Sequence, residues 1–351
     1  MATVADERRV MVGSAPARPV LDAVAGGLTD WVIAALCAWL VAGVYLDVWA
    51  HLHVVLSESF FTPWHALLYS AMLAITAFLA LLRRRRRAAG IAWSWTRGYG
   101  LSLAGCCAFA ASGVSDGVWH TVLGVETGLN GLISPPHVGL VVSAGVVASG
   151  PLRVAWSGDR VRAGWPAVVS AALLLSFLIF LVQFDHPISS IWAAAPAPAA
   201  ILRLRRDSLE LGVLGLLIQT GLLVGLVLLL VSRFRLPLGA LALVTGLNGL
   251  VISAVDQLGR LALVAVAMGA VGDLLLWMLA PSPIRRVQLR LFAALWPIAA
   301  WTLYFLALLA GPGVWWPLHV WAGTVLMTGA EGWLLSHLVV PGGSMTGSRR
   351  G

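Results

Sequence analysis

The chain contains no lysine and little charge of any kind. Its 351 residues are 60% hydrophobic and 11% charged, and the mean hydropathy of +0.90 excludes a soluble globular protein. The polar first 27 residues have no apolar stretch or cleavage site of the kind that a signal peptide requires. We therefore expect a membrane protein whose N-terminal segment stays in the cytoplasm.

Cysteine is also scarce, and no Cys-x-x-Cys spacing occurs. Cys37, Cys106 and Cys107 fall within apolar segments, where a free thiol usually behaves as a small hydrophobic group. We assign them no role in metal binding or redox chemistry.

Apolar segments of about 20 residues, the length that a helix needs to cross a bilayer, recur along the chain. Prolines at their edges support the boundaries. The sequence predicts an all-α, polytopic integral membrane protein of about ten transmembrane helices arranged as repeated helical hairpins. The spans are expected near 29–50, 63–82, 98–117, 136–156, 166–184, 208–232, 237–256, 261–280, 291–310 and 317–340.

The arginines predict the orientation of the chain. With the N-terminus inside, 19 of the 23 arginines fall in cytoplasmic segments. The net charge of +8 therefore reflects topology, and we expect a lipid bilayer and no nucleic acid as the partner. We divide the chain into a cytoplasmic tail (1–28), a four-helix metal-site region (29–156), six further transmembrane helices (157–341) and a cytoplasmic C-terminal tail (342–351), in a plasma membrane of bacterial type.

One pattern occurs twice, near the outer ends of the first four spans. An Asp is followed by a His four residues later and, after a loop, by a His just behind a proline. The first copy comprises Asp47, His51 and His65, and the second comprises Asp116, His120 and His137. Ionisable side chains are costly in such an apolar setting, so both copies indicate a site rather than ordinary packing.

The spacing allows three ligands to converge in each copy. Residues four apart share a face of a helix, and a proline fixes where the returning helix begins. One carboxylate and two imidazoles form a common ligand set for a transition metal with an open coordination position. The alternatives are an Asp–His hydrogen bond that ties two helix ends together and, least favoured because a carboxylate accompanies each His pair, a haem site.

Partial copies follow in the second half of the chain. Asp47, Asp116, Asp185 and Asp256 recur at spacings of 69, 69 and 71 residues. Asp185 is followed by His186, and His319 follows Pro317 as a proline-marked histidine. The sequence assigns no role to the polar residues of this region, which are Asp185, His186, Asp256, Asp273, His319, Glu331 and His337.

The two complete copies resemble the C subunit of particulate methane and ammonia monooxygenases. That subunit has an Asp-x3-His followed by Phe-Thr-Pro-x-His, as do Asp47-x3-His51 and Phe61-Thr62-Pro63-x-His65 here. Its second metal site is similar to Asp116, His120-Thr121, Glu126 and Pro135-x-His137. The resemblance covers about residues 40–145.

The resemblance implies two metal centres with copper-type ligation, formed by the six residues named above. Asp116 stands where the family has Asn, which gives a more anionic site that would also suit iron, zinc or manganese. It further implies oxidation of a small apolar substrate and companion membrane subunits, or a homo-oligomer. A metal transporter, chaperone or assembly factor is the alternative, in which Asp273, Glu331 and His337 would continue a path for the ion.

Overall fold

A computed structural model of the chain describes residues 18–54, 62–93, 98–124, 128–195, 205–255 and 259–340. These ranges form twelve α-helices: α1 Arg18–His53, α2 Pro63–Ala88, α3 Gly100–Leu123, α4 Gly128–Leu132, α5 Pro135–Ala148, α6 Gly150–Ser157, α7 Trp165–Leu181, α8 Arg205–Arg233, α9 Ala240–Val255, α10 Gly259–Leu279, α11 Arg286–Leu309 and α12 Leu318–Val339. The described ranges also contain a short 3₁₀ helix at Gln183–Asp185 and two isolated β-bridges. The all-α prediction agrees with this architecture.

Six of these helices are long and apolar enough to cross a membrane: α1 from Gly27, α2, α3, α8 from Asp207, α10 and α11. The pair α5 and α6, bent by 42°, makes a seventh if the two form one span. The apolar helices α7 and α9 are shorter. A helix lies at each of the ten segments that the sequence predicts to be spans, but ten crossings remain a prediction. The last helix, α12, is not among these candidate spans. It carries His319, Glu331 and His337, which lower its mean hydropathy.

The break between α5 and α6 has a local cause. Pro151 has no N–H to donate to the Val147 carbonyl one turn earlier. The Ser102 hydroxyl of α3 donates to that carbonyl instead, at 3.4 Å. Arg153 donates to the carbonyl of Val146 at 2.7 Å and to the hydroxyl of Ser102 at 2.7 Å. Side chains thus satisfy the backbone oxygens that the bend releases.

The helices pack around two cores. The first core joins residues mainly of α1, α2, α3, α5, α7 and α9, and the second joins residues mainly of α8, α11 and α12. Helices α8, α9 and α10 contribute to both cores. Helices that are close in sequence pack against each other in pairs: α1 with α2, α3 with α5, α9 with α10 and α11 with α12. We call α1 with α2 and α3 with α5 hairpins; repeated hairpins along the whole chain stay a prediction. The first core contains both hairpins that carry the repeated motif.

Buried polar side chains tie helices together within these cores. Tyr45 of α1 donates a hydrogen bond to the backbone oxygen of Ser176 in α7 at 2.9 Å. In the second core, the indole of Trp301 donates to the Thr220 hydroxyl at 2.7 Å. Such bonds are the usual explanation for polar side chains between membrane helices.

Candidate metal centres

The structure brings the six predicted ligands together in two groups of three. Centre 1 consists of Asp47, His51 and His65, and centre 2 consists of Asp116, His120 and His137. Within each centre, one ligand atom from each residue lies within 4.8 Å of the other two. Across the part of the chain that the structure describes, these are the two groups of His, Cys, Asp or Glu side chains that could hold a metal ion.

Each centre is built where one helix ends and the next begins. Asp47 and His51 occupy the last turns of α1, and Asp116 and His120 those of α3. Pro63 and Pro135 are the first residues of α2 and α5, so that each third ligand is the third residue of its helix. Proline suits this first position because its missing N–H would have no partner there. Local sequence alone therefore directs three side chains to one point.

Centre 2 has distances that fit one ion. The side chain of Asp116 is 2% exposed, and its Oδ1 lies 3.3 Å from Nε2 of His120 and 3.5 Å from Nε2 of His137. A tetrahedral ion with bonds of about 2.1 Å separates its ligand atoms by about 3.4 Å. The carboxylate oxygen is thus placed, relative to both imidazoles, as it would be around a shared metal.

Both histidines of centre 2 use their other nitrogen to hold the ring in place. Nδ1 of His137 lies 2.7 Å from the Ser134 hydroxyl, and Nδ1 of His120 lies 3.3 Å from the Gly124 carbonyl oxygen. The tautomer that donates Nδ1–H to these oxygens leaves a lone pair on each Nε2, facing Asp116. Metal-binding histidines are commonly oriented by an outer partner of this kind.

Centre 1 has the same residues in a looser arrangement. Nε2 of His65 lies 3.5 Å from Oδ1 of Asp47. Nδ1 of His51 lies 3.7 Å from the other carboxylate oxygen, but this nitrogen also hydrogen-bonds to the backbone oxygen of Asp47 at 2.8 Å. The side chains of Asp47 and His51 are 16% and 32% exposed. The carboxylate of centre 1 is therefore more exposed and its ligands are less preorganised, although the His137 side chain of centre 2 is itself 29% exposed.

One carboxylate oxygen in each centre has no hydrogen-bond partner among the described residues. These atoms are Oδ1 of Asp47 and Oδ1 of Asp116, both buried and both facing imidazole nitrogens. Buried polar atoms in proteins are normally paired, because leaving one unpaired is costly. Each oxygen lies 3.3–3.5 Å from an imidazole nitrogen, a separation that suits an Asp–His ion pair as well as a cation held between the two groups.

The remaining histidine next to centre 1 does not belong to it. His53 donates a hydrogen bond from Nδ1 to the backbone oxygen of Trp49 at 2.9 Å. Its ring stacks on the Trp49 indole, with the ring centroids 5.3 Å apart. The loop residues Phe61 and Glu126, which contribute to the family resemblance, lie outside the described residues.

The third, partial copy of the motif, Asp185 and His186, lies just after the end of α7 and does not form a ligand group. The Trp192 indole donates to Oδ1 of Asp185 at 2.8 Å, and the Ile188 N–H donates to Nδ1 of His186 at 3.1 Å. Burial raises the pKa of Asp185 to about 6 and lowers the pKa of His186 to about 3. Burial thus shifts both groups toward their neutral forms: His186 is neutral at pH 7, whereas Asp185 is still mostly ionised there and accepts the Trp192 bond.

The other polar residues of the second half are separate from both centres. Asp273 of α10 accepts hydrogen bonds from the backbone N–H groups of Leu241 and Ala242 at 3.1 and 2.9 Å, and so caps the start of α9. On α12, a carboxylate oxygen of Glu331 faces Gly221 of α8, and His337 packs against Trp333. His319 is exposed at the start of α12, and Asp256 lies outside the described residues.

Sequence reasoning missed two residues beside the centres. Ser134 lies three residues before His137 and contacts its Nδ1, and the Ser-Pro start of a helix is the signal that could have revealed it. Tyr69 lies one turn after His65, with the two rings 6.2 Å apart at their centroids. Helical spacing places Tyr69 on the His65 face, but only the packing of α3 against it shows its position.

Comparisons of the chain with protein-family models, with curated proteins and with solved structures found no match. The resemblance to the monooxygenase C subunit therefore rests on the two short motifs alone.

Proposed function

We propose that this chain is a membrane-embedded metalloprotein with two transition-metal centres, each formed by one aspartate and two histidines. The observation that carries the proposal is the geometry of centre 2. There a buried carboxylate oxygen without a hydrogen-bond partner lies 3.3 and 3.5 Å from two imidazole nitrogens. A cation bound by all three side chains would neutralise the carboxylate and use both nitrogen lone pairs.

Copper is the metal that we propose, on the basis of the resemblance to the monooxygenase subunit. Imidazole nitrogen suits copper, zinc and iron alike, and a carboxylate in each set makes the ligands harder than imidazole alone. No thiolate contributes to either centre. Iron or zinc is therefore the alternative occupant, particularly at centre 2, where Asp116 replaces the Asn of the family.

The activity that we propose is the oxidation of a small apolar substrate that reaches the centres through the bilayer. The oxidation would use dioxygen, with one oxygen atom going to the substrate and the other to water, and it would take two electrons and two protons from an external donor. A redox-active metal held by these residues would supply the electron transfer. The chain's own contribution is to hold three ligands and to leave a further coordination position open. The aspartate supplies negative charge, and the Ser134 hydroxyl and the Gly124 carbonyl fix the two imidazoles of centre 2.

A metal-handling role, as a transporter, chaperone or assembly factor, is the second candidate. The partial exposure of His51 favours it, because an entry site must be reached from water. A transport path through the membrane has less support. Asp273, the first residue of the predicted path, accepts hydrogen bonds from the backbone of α9. Glu331 and His337 join neither centre.

The proposal places the protein in a plasma membrane of bacterial type, with the N- and C-termini in the cytoplasm and both centres near the outer face. The distribution of the arginines supports this orientation. Ten crossings are required if every apolar helix spans the membrane. Companion membrane subunits or a second copy of the chain are the proposed partners.

Metal content tests the proposal directly. Protein purified in detergent would be stripped with a chelator, incubated with copper, iron or zinc ions, desalted and analysed for metal per chain. We expect two ions per wild-type chain, one in His51→Ala, one in His120→Ala and close to none in the combined variant, because each substitution removes one of only three ligands.

His53→Ala provides the matched control, since His53 lies on the same helix as His51 but outside centre 1. It should retain two ions per chain. A folded wild-type protein that holds no metal above background would contradict the proposal, as would a loss of metal in His53→Ala equal to that in His51→Ala.

A further inference from the structure

Tyr69 lies between the two centres. It follows His65 by one turn of α2, and its ring meets the His65 imidazole edge-on, with the centroids 6.2 Å apart. On its other side the ring meets Phe109 of α3, with the centroids 5.9 Å apart. The phenol therefore extends from the hairpin of centre 1 to the helix that carries two ligands of centre 2.

Gly113 provides the space for this approach. A Cβ atom at Gly113 would lie 2.9 Å from Cε1 and 3.0 Å from the hydroxyl oxygen of Tyr69, so that no larger residue fits without displacing the ring. Gly113 precedes Asp116 by three residues, which places both on the same face of α3. The Tyr69 hydroxyl thus packs against α3 about one helical turn before Asp116.

Tyr69 is therefore a polar side chain that contacts both hairpins. Its ring meets His65 of α2, and its hydroxyl oxygen packs against Gly113 of α3.

We propose that Tyr69 is a positioning residue shared by both metal centres, so that a single side chain outside the two ligand sets affects metal binding at each of them. The inference rests on the proposed function and adds a residue that neither three-ligand motif contains. Its ring supports the His65 imidazole, and its hydroxyl packs against α3 at Gly113, three residues before Asp116. Outer residues of this kind commonly change metal affinity by about 10–100-fold.

The test uses backgrounds in which one centre at a time is weakened. His120→Ala leaves centre 1 to be measured, and His51→Ala leaves centre 2. Zinc affinity is determined by competition with a chromophoric chelator, and the visible spectrum of bound cobalt(II) reports the geometry at the ion. Adding Tyr69→Phe removes the hydroxyl but keeps the ring, and we expect about tenfold weaker zinc binding and a shifted cobalt spectrum at both centres.

Gly113→Ala tests the same claim from the other helix. The added methyl group should displace Tyr69 and weaken zinc binding at centre 1, although α3 contributes no ligand to that centre. Val114→Ala is the matched control, because Val114 is the next residue of α3 and its side chain is 71% exposed. It should leave both affinities and both spectra unchanged.

A change confined to centre 1 in Tyr69→Phe would overturn the shared role, as would unchanged affinities at both centres. If Gly113→Ala does not fold, the result for Tyr69→Phe decides alone. Failure of zinc and cobalt to bind in either background would be a different result, because it would reject the metal centres themselves and the inference with them.

Discussion

The two hairpins present the same three ligands at the same helical positions, yet they differ in how firmly those ligands are held. The Asp116 side chain is 2% exposed, whereas that of Asp47 is 16% exposed. At centre 2 both Nε2 atoms approach one carboxylate oxygen, whereas at centre 1 the His51 nitrogen near the carboxylate is engaged by the backbone. The ligand motif alone does not determine how preorganised a centre is.

The residue before the proline also differs between the two centres. Thr62 caps α2 through its side chain, which accepts a hydrogen bond from the His65 backbone N–H at 3.2 Å. Ser134 occupies the equivalent position before α5 but makes no cap bond, and its hydroxyl contacts the His137 ring instead. One hydroxyl thus stabilises a helix end, and the other orients a ligand.

The largest expected difference is in metal affinity. Centre 2, measured in His51→Ala, should bind zinc about a hundredfold more tightly than centre 1, measured in His120→Ala, because its ligands need less rearrangement. Competition with a chromophoric chelator would measure both affinities. Equal affinities, or a tighter centre 1, would show that the apparent preorganisation has no effect on binding.

Exchanging the two hydroxyls for apolar groups sharpens the comparison. Ser134→Ala should weaken zinc binding at centre 2 by about tenfold, because His137 loses the partner of its Nδ1. Thr62→Val should leave the affinity of centre 1 nearly unchanged but should lower stability by about 1 kcal/mol, because the cap is lost. Chelator competition and thermal unfolding in detergent distinguish the two effects, and a larger affinity loss in Thr62→Val would reverse our interpretation.

Burial of the two carboxylates should also matter when no metal is bound. Asp116→Asn should stabilise the metal-free protein by about 1 kcal/mol, because it removes a buried carboxylate oxygen that has no hydrogen-bond partner. Asp47→Asn should have a smaller effect, since Asp47 is more exposed. Thermal unfolding after chelator treatment measures both changes, and a less stable metal-free Asp116→Asn would contradict this account.

The third Asp–His step should affect stability and leave metal content unchanged. Because the folded pKa of Asp185, about 6, lies above its ordinary value of 3.8, the folded state binds more protons between these values and loses stability as the pH rises through them. Asp185→Asn should therefore be more stable than wild type at pH 7, on the order of 1 kcal/mol, with the gain vanishing near pH 4.

His186 makes the opposite contribution over a similar range. The pKa of His186 is about 3 in the folded protein and ordinarily 6.5, so the unfolded state binds more protons between these values. The folded state therefore loses stability as the pH falls through this range. Measuring Asp185→Asn against wild type at each pH keeps the His186 contribution constant. A loss of bound metal in Asp185→Asn would indicate that the third step belongs to a centre after all.

Periodicity and proline placement were sufficient to predict the helical class and the convergence of each triad. Both depend on residues that are close in sequence, since Asp47 and His51 share a helix face and Pro63 starts the returning helix. The number of crossings was harder to predict, because the bend at Pro151 and the polar residues of α12 change what a helix can span.

Contacts between distant parts of the chain could not be predicted from spacing. The packing of Tyr69 against Gly113 depends on how α2 and α3 meet, and Asp273 caps a helix whose start lies more than 30 residues earlier in the chain. In the same way, Asp185 repeats the spacing of Asp47 and Asp116, but the Trp192 indole makes it a structural residue.

X-ray absorption spectroscopy of the metal-loaded protein tests the central claim most directly, because it reports the ligands around the ion. For a chain loaded with two copper or zinc ions, we predict nitrogen or oxygen ligands at about 2.0–2.1 Å, with outer-shell scattering from two imidazoles per ion and none from sulfur. Loading of only one ion in His120→Ala should leave the imidazole count per ion unchanged. Bound metal without imidazole scattering would contradict the account.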